Sequence, residues 1–402
     1  MSSLVEILIF LPIVGAIIGY VCKLMAIKML FHPAKWIGIG PLGWQGVVQR
    51  RSPKFAGGVA DTVMGAGVRV DTMLAKVDAA SIAATLGPLL EAAAPGALEA
   101  AIEAVKPGAY AALPAPVKAQ LAGQVGASGT RITKVLIEEL RPLVPELVDV
   151  RQLIIRQLSG ENADKLARLF QEVGKRELQV VIWYGAVLGF IIGLVEVGFY
   201  AALERWWLLP MIGAIDGLVN NWLAIQMIFR PLEKKRYLGI FPFQGLFPAR
   251  QDEISRDYGR MLASEVLTPR DFLAHVDPAS RARLEAAAKV IVEREAAPLM
   301  QMMAMMLGAP LDQAAKDRAL AAVTGSVATV LPAHAPAIEA EISRQLAVAE
   351  TLEAALTVMP KAEFEAVLRG VFEEDEWILV TLGGVLGGAI GTLQGAIVLA
   401  LQ

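Results

Sequence analysis

Charge is scarce in this chain. Only 19% of its 402 residues are Asp, Glu, Lys or Arg, against about 25% in ordinary soluble domains. Disorder of the highly charged kind is thereby excluded. Aromatic residues make up 6%, so Ala, Leu, Val, Ile and Gly carry the apolar content. Cysteine occurs once, as Cys22, which excludes an internal disulfide and a cysteine-rich metal site. The three histidines, His32, His275 and His334, lie far apart in the sequence. Neither basic nor acidic residues dominate: 37 Lys and Arg stand against 40 Asp and Glu, a net charge of −3. No general nucleic-acid-binding role follows from that balance. Ser-His-Asp and Cys-His sets, an HExxH motif and a P-loop lysine are all missing. The chain therefore reads as non-enzymatic, with no cofactor and no metal.

What is abundant is hydrocarbon. Hydrophobic residues reach 55% and the mean hydropathy is +0.52. A bilayer span needs about 20 mostly apolar residues, and four stretches qualify: 4–31, 180–203, 206–229 and 378–401. The expected fold is an all-α integral membrane protein with these four transmembrane helices. The first stretch lacks a positive n-region and a small-residue cleavage site before Lys23, so it reads as a span rather than a signal peptide.

Lys and Arg near the span ends set the orientation. Lys35, Arg50, Arg51 and Lys54 follow the first span, and Lys165, Arg168, Lys175 and Arg176 precede the second. Arg230, Lys234, Lys235 and Arg236 follow the third, and Lys361 and Arg369 precede the fourth. The opposite side holds only Arg205. The long segments 34–177 and 232–376 are thus expected in the cytoplasm, with both termini outward. Trp183, Tyr184 and Trp377 would mark the inner interface, Trp206 and Trp207 the outer one.

The chain also repeats itself. At an offset of 198, Leu11, Pro12, Gly15 and Gly19 recur as Leu209, Pro210, Gly213 and Gly217. Ala26-Ile27, Phe31 and Pro33 recur as Ala224-Ile225, Phe229 and Pro231. Gln45-Gly46 and Arg51 match Gln244-Gly245 and Arg250 at 199, and Gly189, Gly193 and Glu196 match Gly387, Gly391 and Gln394 at 198. Pro, Gly, Gln and Arg in register point to a tandem duplication, with repeat 1 at 1–203 and repeat 2 at 204–402. Two spans per repeat give both copies one orientation, the parallel kind of repeat.

Both cytoplasmic segments are rich in helix formers. Thr268-Pro269 and Asp277-Pro278 read as an N-cap followed by Pro at the first helical position. Pro88, Pro95, Pro107, Pro114, Pro116, Pro142 and Pro145 predict several short helices in the first segment. The last helix of each segment, about 161–179 and 360–377, is expected to run straight into its span. Trp36 to Val48 and Tyr237 to Phe247 are expected as short extended or hairpin pieces.

Several residues are candidates for function, each with a structural alternative. Glu196 and Asp216 are ionisable groups inside spans, which are costly and therefore functional candidates; solvation near the outer interface or bonding to a neighbouring helix also accounts for them. Asn220 and Asn221 are either packing glue or a substrate contact. Arg50, Arg51, Lys234, Lys235, Arg236 and Arg250 could attract anionic lipid head groups, and topology signalling explains them too. Met300, Met302, Met303, Met305 and Met306 form either an adaptable surface or core filling. Gly38-Ile39-Gly40-Pro41-Leu42-Gly43 fits a dinucleotide pattern, yet a span precedes it where a strand is required.

Gly217 to Pro231, with Asn221, Ala224-Ile225, Met227 and Phe229, followed by Gln244-Gly245, resembles the bacterial domain-of-unknown-function-445 family, also called YheB/YjiN-like. The span ending in Leu393-Gln394-Gly395 is similar to that family's C-terminal end. The first copy departs from the pattern, with Cys22-Lys23 where the second has Asn220-Asn221. The resemblance implies a bacterial inner-membrane protein with helical extramembrane parts and supplies no activity. Two roles fit these features. One is a self-associating membrane scaffold or lipid-associated assembly factor, with membrane lipids and a like or unlike membrane protein as partners. The other is a transporter or channel lined by Glu196, Asp216, Asn220 and Asn221.

Overall fold

The computed structural model describes residues 2–39, 42–147, 149–203, 205–237, 241–308, 311–369 and 376–401. Helix dominates these residues, and two short antiparallel hairpins are the described sheets. Four long apolar helices fall on the four expected spans: Ser2–Phe31, Lys175–Leu203, Leu208–Phe229 and Glu376–Leu401. A fifth stretch, Gln313–Val358, is also long and apolar enough to cross a membrane by composition, and it was not among the four expected. Its apolar character comes largely from alanine, and Ala347, at φ 47°, divides it into Gln313–Leu346 and Val348–Val358.

The chain forms two compact units that cut across the two sequence halves. The first comprises Met1–Gly67, Ile154–Val266 and Ala349–Gln402, and it holds the four span helices. The second comprises Val68–Leu153 and Leu267–Val348.

Inside the first unit the spans associate as two hairpins, first with second and third with fourth. Glycine makes this possible. A Cβ on Gly193 would lie 2.6 Å from Pro12 Cα, and a Cβ on Gly391 would lie 2.8 Å from Pro210 Cα. Gly15 and Gly19 meet Gly185 and Gly189 backbone to backbone, as Gly213 and Gly217 meet Gly387 and Gly383. Lipid offers apolar side chains no reason to leave it, so close backbone packing is what holds span helices together. The outward faces carry exposed Ile17, Val187, Phe190, Ile215 and Val385, as a hydrocarbon solvent allows. Trp183, Trp206, Trp207 and Trp377 are exposed as well.

The extended pieces form where expected. Ile37–Ile39 pairs with Leu42–Trp44, and Lys235–Tyr237 pairs with Phe241–Phe243. The second begins two residues before its expected start, and the last residues of both expected pieces lie instead in short helices, Val47–Arg50 and Leu246–Ala249. Each hairpin is tied to the end of its span by the same bonds. Gln45 Nε2 donates to the Ala34 carbonyl at 2.9 Å, and Gln244 Nε2 donates to the Leu232 carbonyl at 2.7 Å. Gly46 N–H reaches the Pro33 carbonyl at 3.0 Å, and Gly245 N–H reaches that of Pro231 at 2.9 Å. Side chains at 46 and 245 would strike the backbone of Phe31 and Phe229, which explains glycine at both. Beyond the hairpins, amphipathic helices Ser52–Gly65, Ala163–Val173, Gln251–Glu265 and Lys361–Arg369 contribute a buried core including Phe55, Leu166, Ile254, Leu262 and Phe364.

The expected continuity into the spans is corrected on one side. The helix of the first segment ends at Val173, Gly174 adopts a non-helical φ and ψ, and the span helix starts at Lys175. Residues 370–375 of the other junction lie outside the described residues, as do Gly40-Pro41, Leu238 to Ile240 and Glu204.

The second unit corrects the proline reading. Ala79–Val105 runs as one helix through Pro88 and Pro95, and Ala115–Leu140 follows after a turn. A helix-interior proline costs roughly 3 kcal/mol. Ala79–Val105 offsets it by packing against both Ala115–Leu140 and Gln313–Leu346, burying Ala83, Ala93, Ala94, Ala97 and Ala101. Pro107, Pro114, Pro142 and Pro145 do mark boundaries. The two expected helix starts are present. Thr268 Oγ1 accepts from Asp271 N–H at 3.1 Å, and Asp277 accepts from Ala279 and Ser280 N–H at 3.0 Å. Met303 is buried with Leu98, Ile102 and Leu121, and Met300, Met302 and Met306 pack around them. Met305 points out. The methionines are mostly core filling, in keeping with their adaptable shape.

Candidate functional site

The polar residues of the spans converge inside the first unit. Lys23 donates from Nζ to Asn221 Oδ1. Asn221 Nδ2 in turn donates to the Leu379 carbonyl at 2.7 Å. Gln394 Nε2 donates to Glu196 Oε2 at 3.4 Å. Lys23 and Glu196 are only 3% and 4% exposed, so their side chains are enclosed by the packed helices. Snorkelling therefore does not account for them, and the reading of Glu196 as a solvated group is set aside.

Both pairs join residues 198 positions apart. Lys23 bonds the residue at its own counterpart position, and so does Glu196. Leu11 and Leu209, again 198 apart, share a buried cluster with Val197 and Val398. At about 1.5 Å per residue, Lys23 and Asn221 both lie about 12 Å from Phe31 and Phe229, the C-terminal ends of their helices. Glu196 and Gln394 lie about 10 Å from Leu203 and Leu401, the C-terminal ends of theirs. The polar side chains thus form two layers.

Asp216 and Asn220 stand four residues apart on the third span, hence on one helix face. Asp216 is within electrostatic reach of both Lys23 and Glu196. Asn220 is 5% exposed, and its Oδ1 has no hydrogen-bond partner among the described residues. The same holds for Asp216 Oδ1. Of the residues the sequence brought out, Asn221 bonds Lys23, Glu196 bonds Gln394, and Asp216 lies within electrostatic reach of Glu196 and Lys23. The sequence reading missed Lys23 and Gln394. The signal was present in the 198 offset, which sets Lys23 opposite Asn221 and Gln394 opposite Glu196.

The basic candidates separate into two groups. Lys234, Lys235 and Arg236 are exposed at the start of the second hairpin, next to exposed Tyr237. The first hairpin shows Lys35, Trp36 and Ile37 in the same way. Arg50 is exposed and Arg51 half-buried. Arg250 forms ion pairs with buried Glu177 and with Glu253. A buried carboxylate deprived of its partner is strongly destabilising, so Arg250 serves inside the fold. Arg230 bonds Glu365 at 3.2 Å, and Arg369 reaches Glu365 at 3.2 Å and Glu376 at 2.8 Å.

The second unit holds an apolar groove of about 360 Å³, lined by Val70, Met73, Leu74, Leu136, Leu140, Phe272, Ile342 and Leu346 among others. Sequence reading passed over it, because its walls come from four separate stretches.

Paired, glycine-packed span helices with a buried polar centre define a helical membrane protein. Residues 211–357 match the model of the protein family of unknown function DUF445. The resemblance read from Gly217 to Gly245 is thus shown over a longer stretch. A 62-residue stretch is 50% identical to a UPF0754 membrane protein of Exiguobacterium sibiricum. Stretches of 61 residues are 49% and 46% identical to UPF0754 membrane proteins of Halalkalibacterium halodurans and Bacillus subtilis, the latter being YheB. Each match covers 16% of the relative's length and 14–15% of this chain. No solved structure matches.

Proposed function

We propose that this chain is a non-enzymatic, lipid-associated membrane scaffold built by tandem duplication. Its two repeats, 1–203 and 204–402, form a pseudo-dimer about an axis along the membrane normal. The observation that carries this reading is the bonding of counterparts, Lys23 with Asn221 and Glu196 with Gln394, each at a separation of 198. The matching glycine contacts and Gln-Gly clamps of the two halves support it.

Four spans cross the bilayer in this reading, and Gln313–Val358 does not. That stretch has Lys316, Asp317 and Arg318 at one end and Glu339, Glu341 and Arg344 at the other. Its Glu341 accepts from Ser81 Oγ at 3.0 Å, and its Gln345 accepts from Asp78 N–H at 2.7 Å. Such bonds suit a helix packed in an aqueous domain. The segments 34–177 and 232–376 then share the cytoplasmic side, with both termini outward. Exposed Lys35, Lys234, Lys235 and Arg236, beside Trp36 and Tyr237, suit the anionic head-group region, at about 1 kcal/mol per basic residue. The apolar groove suits lipid tails. Self-association, or association with another membrane protein, completes the scaffold.

Two measurements test the reading. Cysteines introduced at 100–120 and 300–320, in a Cys22→Ser background, should be labelled only after the inner membrane is opened. Labelling of either segment from the periplasm in intact cells refutes the shared side. Native mass spectrometry from mild detergent should show retained anionic lipid and more than one subunit; a bare monomer refutes the scaffold.

A further inference from the structure

We propose that Asp216 and Asn220 form an intramembrane proton-accepting site between Glu196 and Lys23. The inference goes beyond the scaffold reading and rests on its four spans, its duplication and its orientation.

The polar residues of the spans fall into two kinds. Asn221 uses its amide oxygen for Lys23 and its amide nitrogen for Leu379, so it is packing glue. Glu196 and Gln394 bond each other. Asp216 and Asn220 are different. Each keeps a buried Oδ1 that meets no donor among the described residues. The two oxygens come from one face of one helix, four residues apart. In hydrocarbon an unmet acceptor costs several kcal/mol, so a donor from outside the protein is called for.

The duplication supplies an internal control. At an offset of 198 the counterparts of Asp216 and Asn220 are Ile18 and Cys22. The first hairpin packs through the same glycine contacts without this polar pair. Packing therefore does not require it.

The ligand is narrowed by charge. Lys23 already places an ammonium within reach of Asp216, which opposes a metal cation at the same spot. Neutral water meets the demand of two acceptor oxygens without that conflict, and a proton relayed to the Asp216 carboxylate neutralises it instead of leaving a second cation beside Lys23. Asp216 also lies within electrostatic reach of Glu196, Cys22 and Tyr184. Glu196 lies toward the outer end and Lys23 toward the inner end. In the step proposed, hydronium gives its proton to Asp216 Oδ1. An O–H bond forms there, the hydronium O–H bond breaks, and neutral water remains. The proton then leaves by the reverse step, to water or to the Glu196 carboxylate. Chains of such carboxylates are how proton paths through membranes are built.

The test uses the full chain in liposomes that trap a pH-sensitive dye, with valinomycin and potassium clamping the potential. After an acid pulse, the wild type should equilibrate faster than protein-free liposomes. Asp216→Asn should lose that increment, and Asp216→Glu should keep it. Flotation verifies that every variant is incorporated. A wild-type rate equal to that of empty liposomes, or an undiminished rate in Asp216→Asn, overturns the proposal. Infrared difference spectroscopy on acidification gives an independent reading. A carboxyl band present in wild type and lost in Asp216→Asn supports the site, and its persistence in that variant overturns it.

Discussion

Replacing Gly193 by alanine is the most direct test of the span packing. The added Cβ would stand 2.6 Å from Pro12 Cα and 2.7 Å from the Leu11 carbonyl oxygen. Carbon contacts are comfortable at about 3.5–4.0 Å, so the two helices must part by about 1 Å. Both obstacles are backbone, which no rotamer change can move aside. Overpacking of this kind costs about 1–3 kcal/mol. Gly198, on the same helix, is the built-in control, since a Cβ there meets nothing within 4 Å. Gly198→Ala should gain up to about 1 kcal/mol from helix propensity. The two substitutions are chemically identical, five residues apart, and opposite in expected sign. The counterpart Gly391→Ala meets Pro210 Cα and the Leu209 carbonyl carbon at 2.8 Å and should resemble Gly193→Ala. The two lie on separate hairpins, so the double variant should lose about 2–6 kcal/mol if the costs add. Reversible unfolding in mixed micelles of rising SDS fraction, followed by circular dichroism, gives the comparison. A Gly193→Ala protein as stable as Gly198→Ala would refute close backbone contact as the basis of the hairpin.

Asn221→Leu removes the acceptor for Lys23 and the donor to Leu379, and should cost about 1–2 kcal/mol in the same assay. In a double-mutant cycle with Lys23→Met, the double variant should lose well less than the sum of the single losses, and strict additivity would show that the pair does not interact. Glu341, which accepts from Arg344, Gln345 and Ser81, is held at a pKa of about 2 against an ordinary 4.5, chiefly by the Arg344 hydrogen bonds. Its folded pKa is lowered, so its contribution is complete above pH 4.5 and fades as pH falls toward about 2. Amide exchange at 341–345 should accelerate over that window in the wild type, and Glu341→Gln should flatten the dependence. Tyr258 is 3% exposed, with a hydroxyl that has no partner among the described residues, and burial drives its pKa upward. Tyr258→Phe should leave stability unchanged or raise it by about 1–3 kcal/mol, the desolvation penalty of an unmet hydroxyl; a loss of stability would reveal a hidden bond.

Much of the architecture was legible in order. The spans announce themselves because twenty apolar residues in a row have one comfortable solvent. The first hairpin was readable from Gly alternating with Ile and Leu, and the second as its counterpart in the repeat. Asp277-Pro278 and Thr268-Pro269 were readable because capping is local chemistry. Pro88 and Pro95 misled for the opposite reason. Local propensity breaks a helix there, whereas burial against two neighbouring helices keeps it whole. Gly174 was likewise overlooked as an interruption, since nothing before it in sequence reveals where Ala163–Val173 must stop. Nor did the sequence show that buried Glu177 stands beside Arg250.

Composition and periodicity alone determined that this chain is a helical membrane protein with glycine-faced spans, because solvent preference and backbone propensity act on each segment independently. Only the tertiary structure decided which polar groups meet. Lys23 finds Asn221, and Glu196 finds Gln394, across 198 residues of chain. Asp216 and Asn220 are left with oxygens that nothing described satisfies. Partnership in hydrocarbon depends on depth and facing angle, and a linear sequence specifies neither until the helices have packed.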